Sequence, residues 1–600
     1  MPRWNRWPSR SRAALAAALI VSAYGALLRL EAFAGKYGTL DHPAWARVLT
    51  VNVAPAVAAW RPDSVRWYPE RRPYVGGDPV NYLAYAREMQ TFYQPHVREP
   101  VFLALTRGAL ASVDDQDAGV SLASAVGSIA AILATYLLAA RLVSPWAGVV
   151  AAFLMAIEYE QITWAVDGWR DDTFTAVTLV TAWALLRLYT TPTFGGAVLA
   201  GTMAGLACLT RITAASFILP ALAWLVLVDR PSLPARRRWE LAAVTGAVMA
   251  ALVGPYLISC AIGSGDPLLA LNYHTGYYRF AEGLPSEQPM SAAGYIASKF
   301  GRRPLGTLDT GVTGLLVEPF IRKWNGFAHW LPMLGSTLAA AAVVGLVLLA
   351  FSPPGRLFLV MLLTSLLPYA FTWNLGGGGE WRFTMHAYPF YMIAAVSCLA
   401  IVVRGLATLL RNRSFPSWAV VGPGVRRGVA VAAIALAAGA AYMAMPWLVV
   451  REAIAAGDST SVPAGGRDQV FYGAGWSAPH RDSITVRVSI GDRATIRIPL
   501  PARRDYDLVL RMDPVQETAG QRVTVLLNRQ LVGRPALTWD PQRVGSYRVL
   551  LGERAVRAGI NELTLIPESL TPARDAGPRF GWLDPDARIG IRLWYVRVLP

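Results

Sequence analysis

The chain has little charge for its length. Of its 600 residues, 16% are Asp, Glu, Lys or Arg and 54% are hydrophobic, whereas a soluble domain usually carries about 25% charge. That shortage excludes an ordinary water-soluble globule. Cysteine is nearly absent. Cys208, Cys260 and Cys398 lie far apart, each in an apolar run, which excludes a disulfide framework and a Cys-based metal site in favour of small membrane-core residues. No internal repeat and no low-complexity tract interrupts the chain, and lysine is scarce. The first apolar run lacks a small-residue cleavage site and continues through Leu27-Leu28-Arg29-Leu30, so it reads as a retained anchor rather than a signal peptide.

What is present is a series of apolar runs of about 18 to 22 residues, the length that crosses a bilayer core. About eleven spans are expected, roughly at 12–32, 118–140, 145–161, 172–190, 195–211, 213–229, 240–262, 332–351, 357–373, 383–403 and 428–449. The net charge of +17 does not mark nucleic-acid binding, because the arginines sit in gaps between spans. Arg3, Arg6, Arg10 and Arg12 precede the first run; Arg236 to Arg238, and Arg404, Arg411, Arg413, Arg426 and Arg427, crowd two later gaps. The positive-inside rule makes those gaps cytoplasmic. Alternation then places 33–117, 162–171, 263–331, 374–382 and everything after about 450 outside. Loops as long as 33–117 and 263–331 are usually functional.

Past residue 468 the period changes from helical to two-residue alternation. It shows in Thr485-Val486-Arg487-Val488-Ser489-Ile490 and in Ala494 to Leu500, with further strands expected at 506–512, 521–528, 545–551, 561–567 and 589–598. Turn residues such as Asn528, Gly533 and Gly559 separate them. Short strands at that spacing predict a β-sandwich or jelly roll. The expected organisation is a membrane domain over 1–450 and an extracytoplasmic β domain over 451–600. Trp476, Trp539 and Trp582 give the latter faces that stack on sugars or fill a core.

The richest stretch is Gly77-Asp78-Pro79-Val80-Asn81-Tyr82-Leu83-Ala84-Tyr85-Ala86-Arg87-Glu88-Met89, followed by Arg98-Glu99-Pro100-Val101-Phe102. Asp78 and Tyr82 fall on one face of a short outer helix. A carboxylate there serves as a base, or caps the helix. Asp167-Gly168-Trp169-Arg170-Asp171-Asp172 opens a later span. Paired carboxylates at a membrane surface must cap, pair or coordinate something. Arg211 tops the fifth span, where it faces a cavity or snorkels to the interface. His274, Tyr277, Tyr278 and Arg279 lie in the second long loop, where an aromatic belt explains the tyrosines equally well.

Asp-x-x-x-Tyr followed by Arg-Glu-Met, directly after the first span, resembles the lipid A aminoarabinose transferases and, more loosely, the protein O-mannosyltransferases. Both are GT-C membrane glycosyltransferases that use polyprenyl-phosphate sugars. The resemblance covers roughly residues 12–403 and implies a GT-C fold, a lipid-linked donor and a catalytic carboxylate at Asp78, with Glu99-Pro100 similar to the segment that follows it. It also implies a functional acid at Asp171 or Asp172, for acceptor or metal. A divalent ion (Mg, Mn or Ca) would then be shared by Asp78, Asp171 and Asp172. Glu380 and Arg382, near Tyr388-Pro389, resemble a late-span segment of the mannosyltransferase-like families, and a guanidinium suits a leaving phosphate. The site expected is therefore Asp78, Asp171 and Asp172 for catalysis, with Tyr82, Glu99, Arg170, Arg211, His274, Tyr278, Arg279, Glu380 and Arg382 around the substrate. The implied function is sugar transfer to an envelope glycan, glycolipid or protein at the outer face of a bacterial plasma membrane. The rivals are an oligosaccharyltransferase or ligase, from which a Trp-Trp-Asp-Tyr-Gly motif is missing, and a lipid or glycan transporter, which would show repeated halves.

Overall fold

A computed structural model describes residues 9–40, 43–62, 65, 67, 74–228, 233–281, 291–370, 380–412, 418–464, 466–481, 485–516, 521–540 and 544–600, with some helical side chains outside the description. The chain packs as two units, one of Met1–Tyr295 with Thr310–Ser417, the other of Ile296–Asp309 with Trp418–Pro600.

The first unit is helical. Among the described residues five helices are long and apolar enough to cross a membrane: Ser11–Tyr37, Ala118–Leu142, Arg170–Thr190, Ala235–Ser264 and Phe383–Val403. Shorter apolar helices at Phe194–Thr210, Ile212–Leu227 and Leu334–Ala350 fall where spans were expected. The expected single span at 145–161 is instead two helices, Pro145–Ile157 and Tyr159–Asp167, bent by 56°. Glu158 causes the break: its backbone is extended, and its fully buried carboxylate accepts the Gln161 N–H at 2.6 Å. The same carboxylate pairs with the equally buried Lys323 at 3.1 Å.

Small residues let these helices approach, as membrane packing favours. A methyl on Gly127 would sit 2.4 Å from the Thr173 hydroxyl, so Ala118–Leu142 and Arg170–Thr190 touch backbone to backbone. Two charges near the end of the first helix are paired. Lys36 meets Asp167 at 2.8 Å, and Glu31 takes the Arg61 guanidinium at 3.1 Å together with the Trp67 indole N–H.

The all-β part of the second unit has two antiparallel sheets. One orders His480–Arg481, Thr485–Ile490, Arg588–Leu599, Tyr506–Pro514 and Ser546–Leu551, with Thr460–Pro463 and Thr571–Pro572 also on Arg588–Leu599. The other orders Ala494–Leu500, Gly559–Pro567, Gln521–Leu527 and Gln530–Gly533. Alternation builds the core: Tyr506, Leu508, Leu510 and Met512 are buried while Asp507, Val509 and Arg511 are not. They pack with Ile496, Ile498, Val523, Val525, Leu563 and Leu565 of the other sheet, and each fully buried Leu or Ile contributes about 1.5–3 kcal/mol. Asn528 and Arg529, at φ 51° and 72°, form the two-residue turn such hairpins prefer.

Ile296–Asp309 is fastened to this unit by charge. Arg467 grips Asp309 through both nitrogens at 2.6 and 2.8 Å, Arg302 pairs with Asp458, and Glu452 accepts the N–H groups of Leu305 and Gly306 at 2.9 and 2.7 Å. Beside the grip, burial lifts the Asp468 carboxyl to about 7 although Arg467 pulls the other way.

Candidate functional site

Asp78 is the first residue of the helix Asp78–Glu88, and Gly77 before it sits at φ 70°, ψ −143°. That conformation is open essentially to glycine alone. A Cβ there would also lie 3.1 Å from the Trp169 ring, so the turn before Asp78 is seated on the turn before Arg170. The Asp78 carboxylate, about a quarter exposed (26%), meets Arg98 at 3.4 Å. Arg98 has several further neighbours. Its guanidinium contacts the His274 ring and lies 5.5 Å from the centre of the Tyr82 ring, and its backbone N–H donates to His96 Nδ1 at 3.1 Å. Its buried Nε has no partner among the described residues. Burial and the Arg98 charge lower the His96 pKa, which keeps that ring neutral and able to accept. Tyr82 is buried edge-on against Phe102 at 5.3 Å, with Arg170 5.9 Å from its ring centre.

Behind this mouth lie two deeper pairs. Glu99, nearly inaccessible (2%), pairs with Arg170 and accepts the Ile212 N–H at 2.7 Å. Asp171 meets Arg211 at 2.7 Å. Arg211 also donates to the Tyr369 hydroxyl at 3.3 Å and lies 5.0 Å from the Phe174 ring. Three carboxylates thus face three arginines. Buried pairs of this kind balance desolvation against attraction, and losing one partner strands the other. The Asp78–Arg98 pair is the longest of the three and the only one with substantial exposure, so an incoming anion exchanges most readily there.

Asp172 faces away from Asp171. It is fully buried and takes the Ser124 hydroxyl at 3.3 Å. Asp78, Asp171 and Asp172 therefore each look to a different partner, and no three His, Cys, Asp or Glu side chains converge among the described residues.

The sequence-predicted residues Asp78, Tyr82, Glu99, Arg170, Asp171, Arg211 and His274 are brought into one connected cluster. The side chains of Tyr278, Arg279, Glu380 and Arg382 lie outside the described residues, although the first two fall on the helix Leu269–Ala281 and the last two on Glu380–Ala387. Arg98 was not singled out, although it adjoins Glu99 in the same quoted segment. Glu158 and Lys323 were also missed. They are 165 residues apart in a chain poor in lysine, and nothing local announces such a pairing.

A family model for dolichyl-phosphate-mannose-protein mannosyltransferases matches residues 95–258. The segment contains Arg98, Glu99, Arg170, Asp171, Asp172 and Arg211, while Asp78 precedes it. The match agrees with the GT-C resemblance and with a glycosyltransferase-type enzyme. A search of curated proteins gave no match. Among solved structures, the oligosaccharyltransferase AglB of Archaeoglobus fulgidus, in complex with an inhibitory peptide and a dolichol-phosphate, is 18% identical at TM-score 0.41, covering 71% of this chain and 54% of that one. ArnT from Cupriavidus metallidurans, bound to undecaprenyl phosphate, is 14% identical at TM-score 0.37, covering 59% and 62%. The C-terminal CBM6 of LamC from Zobellia galactanivorans is 12% identical at TM-score 0.17, covering 24% of this chain and 100% of that one. The chain thus spans little more than half the length of the matched oligosaccharyltransferases.

Proposed function

We propose that this chain transfers a sugar from a polyprenyl-phosphate carrier to a hydroxyl or amine acceptor at the outer face of a bacterial plasma membrane. The observation that carries the proposal is the half-open Asp78–Arg98 pair, the accessible member of a cluster in which every carboxylate faces an arginine. In the resting state Arg98 neutralises Asp78. A donor phosphate that enters draws the guanidinium to itself, and the Asp78 carboxylate then acts as base. The acceptor oxygen or nitrogen attacks the anomeric carbon as its proton passes to Asp78. The bond from the anomeric carbon to the phosphate oxygen breaks, and the electron pair leaves with the polyprenyl phosphate, whose charge Arg98 receives with His274 beside it. Arg170 and Glu99 hold Tyr82 and Ile212 behind the reacting groups.

The C-terminal β domain is assigned an accessory, carbohydrate-binding part on the same side of the membrane, with residues 1–450 as the catalytic part. Purified chain supplied with a radiolabelled polyprenyl-monophosphate sugar should release and transfer the label, and Asp78→Asn should lose transfer while still binding undecaprenyl phosphate. Transfer by Asp78→Asn at the wild-type rate removes the assignment. Turnover only with a lipid-pyrophosphate oligosaccharide moves the chain to the oligosaccharyltransferase class.

A further inference from the structure

Arg29 lies in the membrane-spanning helix Ser11–Tyr37 and is almost completely buried (1%). A guanidinium inside a bilayer is costly, faces protein rather than lipid, and by default has a task. Its Nε donates to Ser128 at 2.8 Å, and Nη1 donates to the carbonyls of Gly25 and Ala156 at 3.0 and 3.2 Å. Its Nη2 has no partner among the described residues, and neither has Oδ1 of Asp172 nor the side-chain amide of Gln161. The three belong to one node. Ser128 takes Arg29 and donates to the Gln161 carbonyl at 3.4 Å, and Ser124, one turn earlier on the same helix, donates to Asp172, so two successive turns of one helix hold the buried cation and the buried carboxylate.

The node is tied to the site through the chain on either side of Asp172. Ser124 also donates to the Trp169 carbonyl at 2.6 Å. Trp169 is the ring that abuts Gly77, next to Asp78, and the two residues between Trp169 and Asp172 are Arg170 and Asp171, each bound to a member of the cluster. One anchored turn therefore sets three contacts at once.

We propose that Arg29 is a positioning residue, the intramembrane counter-ion of Asp172, and that this pair fixes the turn Trp169–Asp171 against Asp78 and Glu99. Asp172 then contributes by anchoring that turn and not by touching substrate. The proposal rests on the transferase reading for its kinetic consequence alone.

The experiment compares Arg29→Met, Asp172→Asn and the double variant in detergent, with hydrogen exchange of the peptide covering residues 168–174 and, separately, transfer kinetics. Each single variant strands one charge and should speed exchange of that peptide and lower kcat by on the order of tenfold or more, with KM for the lipid donor little changed. The double variant should recover a large part of both. A double variant no better than the worse single one overturns the proposal, as do single variants with wild-type exchange. Should a single variant fail to fold, the double variant and Arg29→Lys carry the same comparison, and failure of both to show wild-type protection of that peptide refutes the pairing. A wild-type chain that transfers no sugar sinks the transferase reading, yet the exchange measurement still tests the pair.

Discussion

Glu99→Gln offers a sharp test of the charge arrangement. The substitution keeps an oxygen able to accept the Ile212 N–H, now at 2.7 Å, and removes only the charge. Arg170 is then left buried (4%), with one further contact to the Thr210 carbonyl at 3.5 Å and an Nε already unpartnered. Removing one member of a buried pair costs about 3–5 kcal/mol. Because the Ile212 N–H keeps its acceptor, the low end of about 3 kcal/mol is expected. In a unit of this size that corresponds to a fall of about 2–4 °C in apparent melting temperature, read by intrinsic fluorescence in detergent as an apparent value because two units are present. Replacing Arg170 as well, in Glu99→Gln with Arg170→Met, strands no charge and keeps the Ile212 acceptor, and should melt within about 1 °C of wild type. The reasoning is refuted if Glu99→Gln melts with the wild type, or if the double variant melts below the single one.

Three further outcomes are expected. Gly77→Ala forces a Cβ into a backbone region costing about 1–3 kcal/mol and against Trp169, so transfer should fall on the order of tenfold with the chain still folded by circular dichroism. Lys323→Met leaves the Glu158 carboxylate buried without its counter-charge and should lower the apparent melting temperature, while Lys323→Met with Glu158→Gln should restore most of it. Asp468 has a folded pKa raised from 3.8 to about 7, so the stability it contributes is complete below the unfolded value and is lost as pH rises through 7. The loss is at most about 4 kcal/mol. In Asp468→Asn that part of the slope between pH 4 and 7 should vanish in denaturant titrations of the full chain.

The β domain was legible because alternation is a local property. Thr485–Ile490, Ala494–Leu500 and Gln521–Leu527 fall almost residue for residue where the two-residue period placed them. Short edge pieces such as Thr460–Pro463 and Gln530–Gly533 were not, having too few residues to show a period. Apolar length located the long helices but hid the bend at Glu158, a polar residue inside an apolar run whose charge is met by a lysine far away in sequence. In the site, Asp78, Glu99, Asp171 and Arg211 stood out as charges beside helix ends. Their pairing did not, since each pair joins separate elements and only packing decides which guanidinium meets which carboxylate. Asp171 and Asp172 look equivalent in sequence, yet successive helical positions point about 100° apart. One accordingly meets Arg211 and the other Ser124.

The fastening of Ile296–Asp309 bears on how this chain can be cut. Composition alone suggests a scissor point near residue 450, where apolar helix yields to polar strands. A protein ending there would discard Glu452, Asp458 and Arg467 together. The Leu305 and Gly306 amides would lose their acceptor, Arg302 its counter-charge and Asp309 its guanidinium clasp, all from a stretch some 150 residues upstream. The soluble-looking tail is thus a buckle for a loop much earlier in the polypeptide, and a trimmed version would be altered at both places.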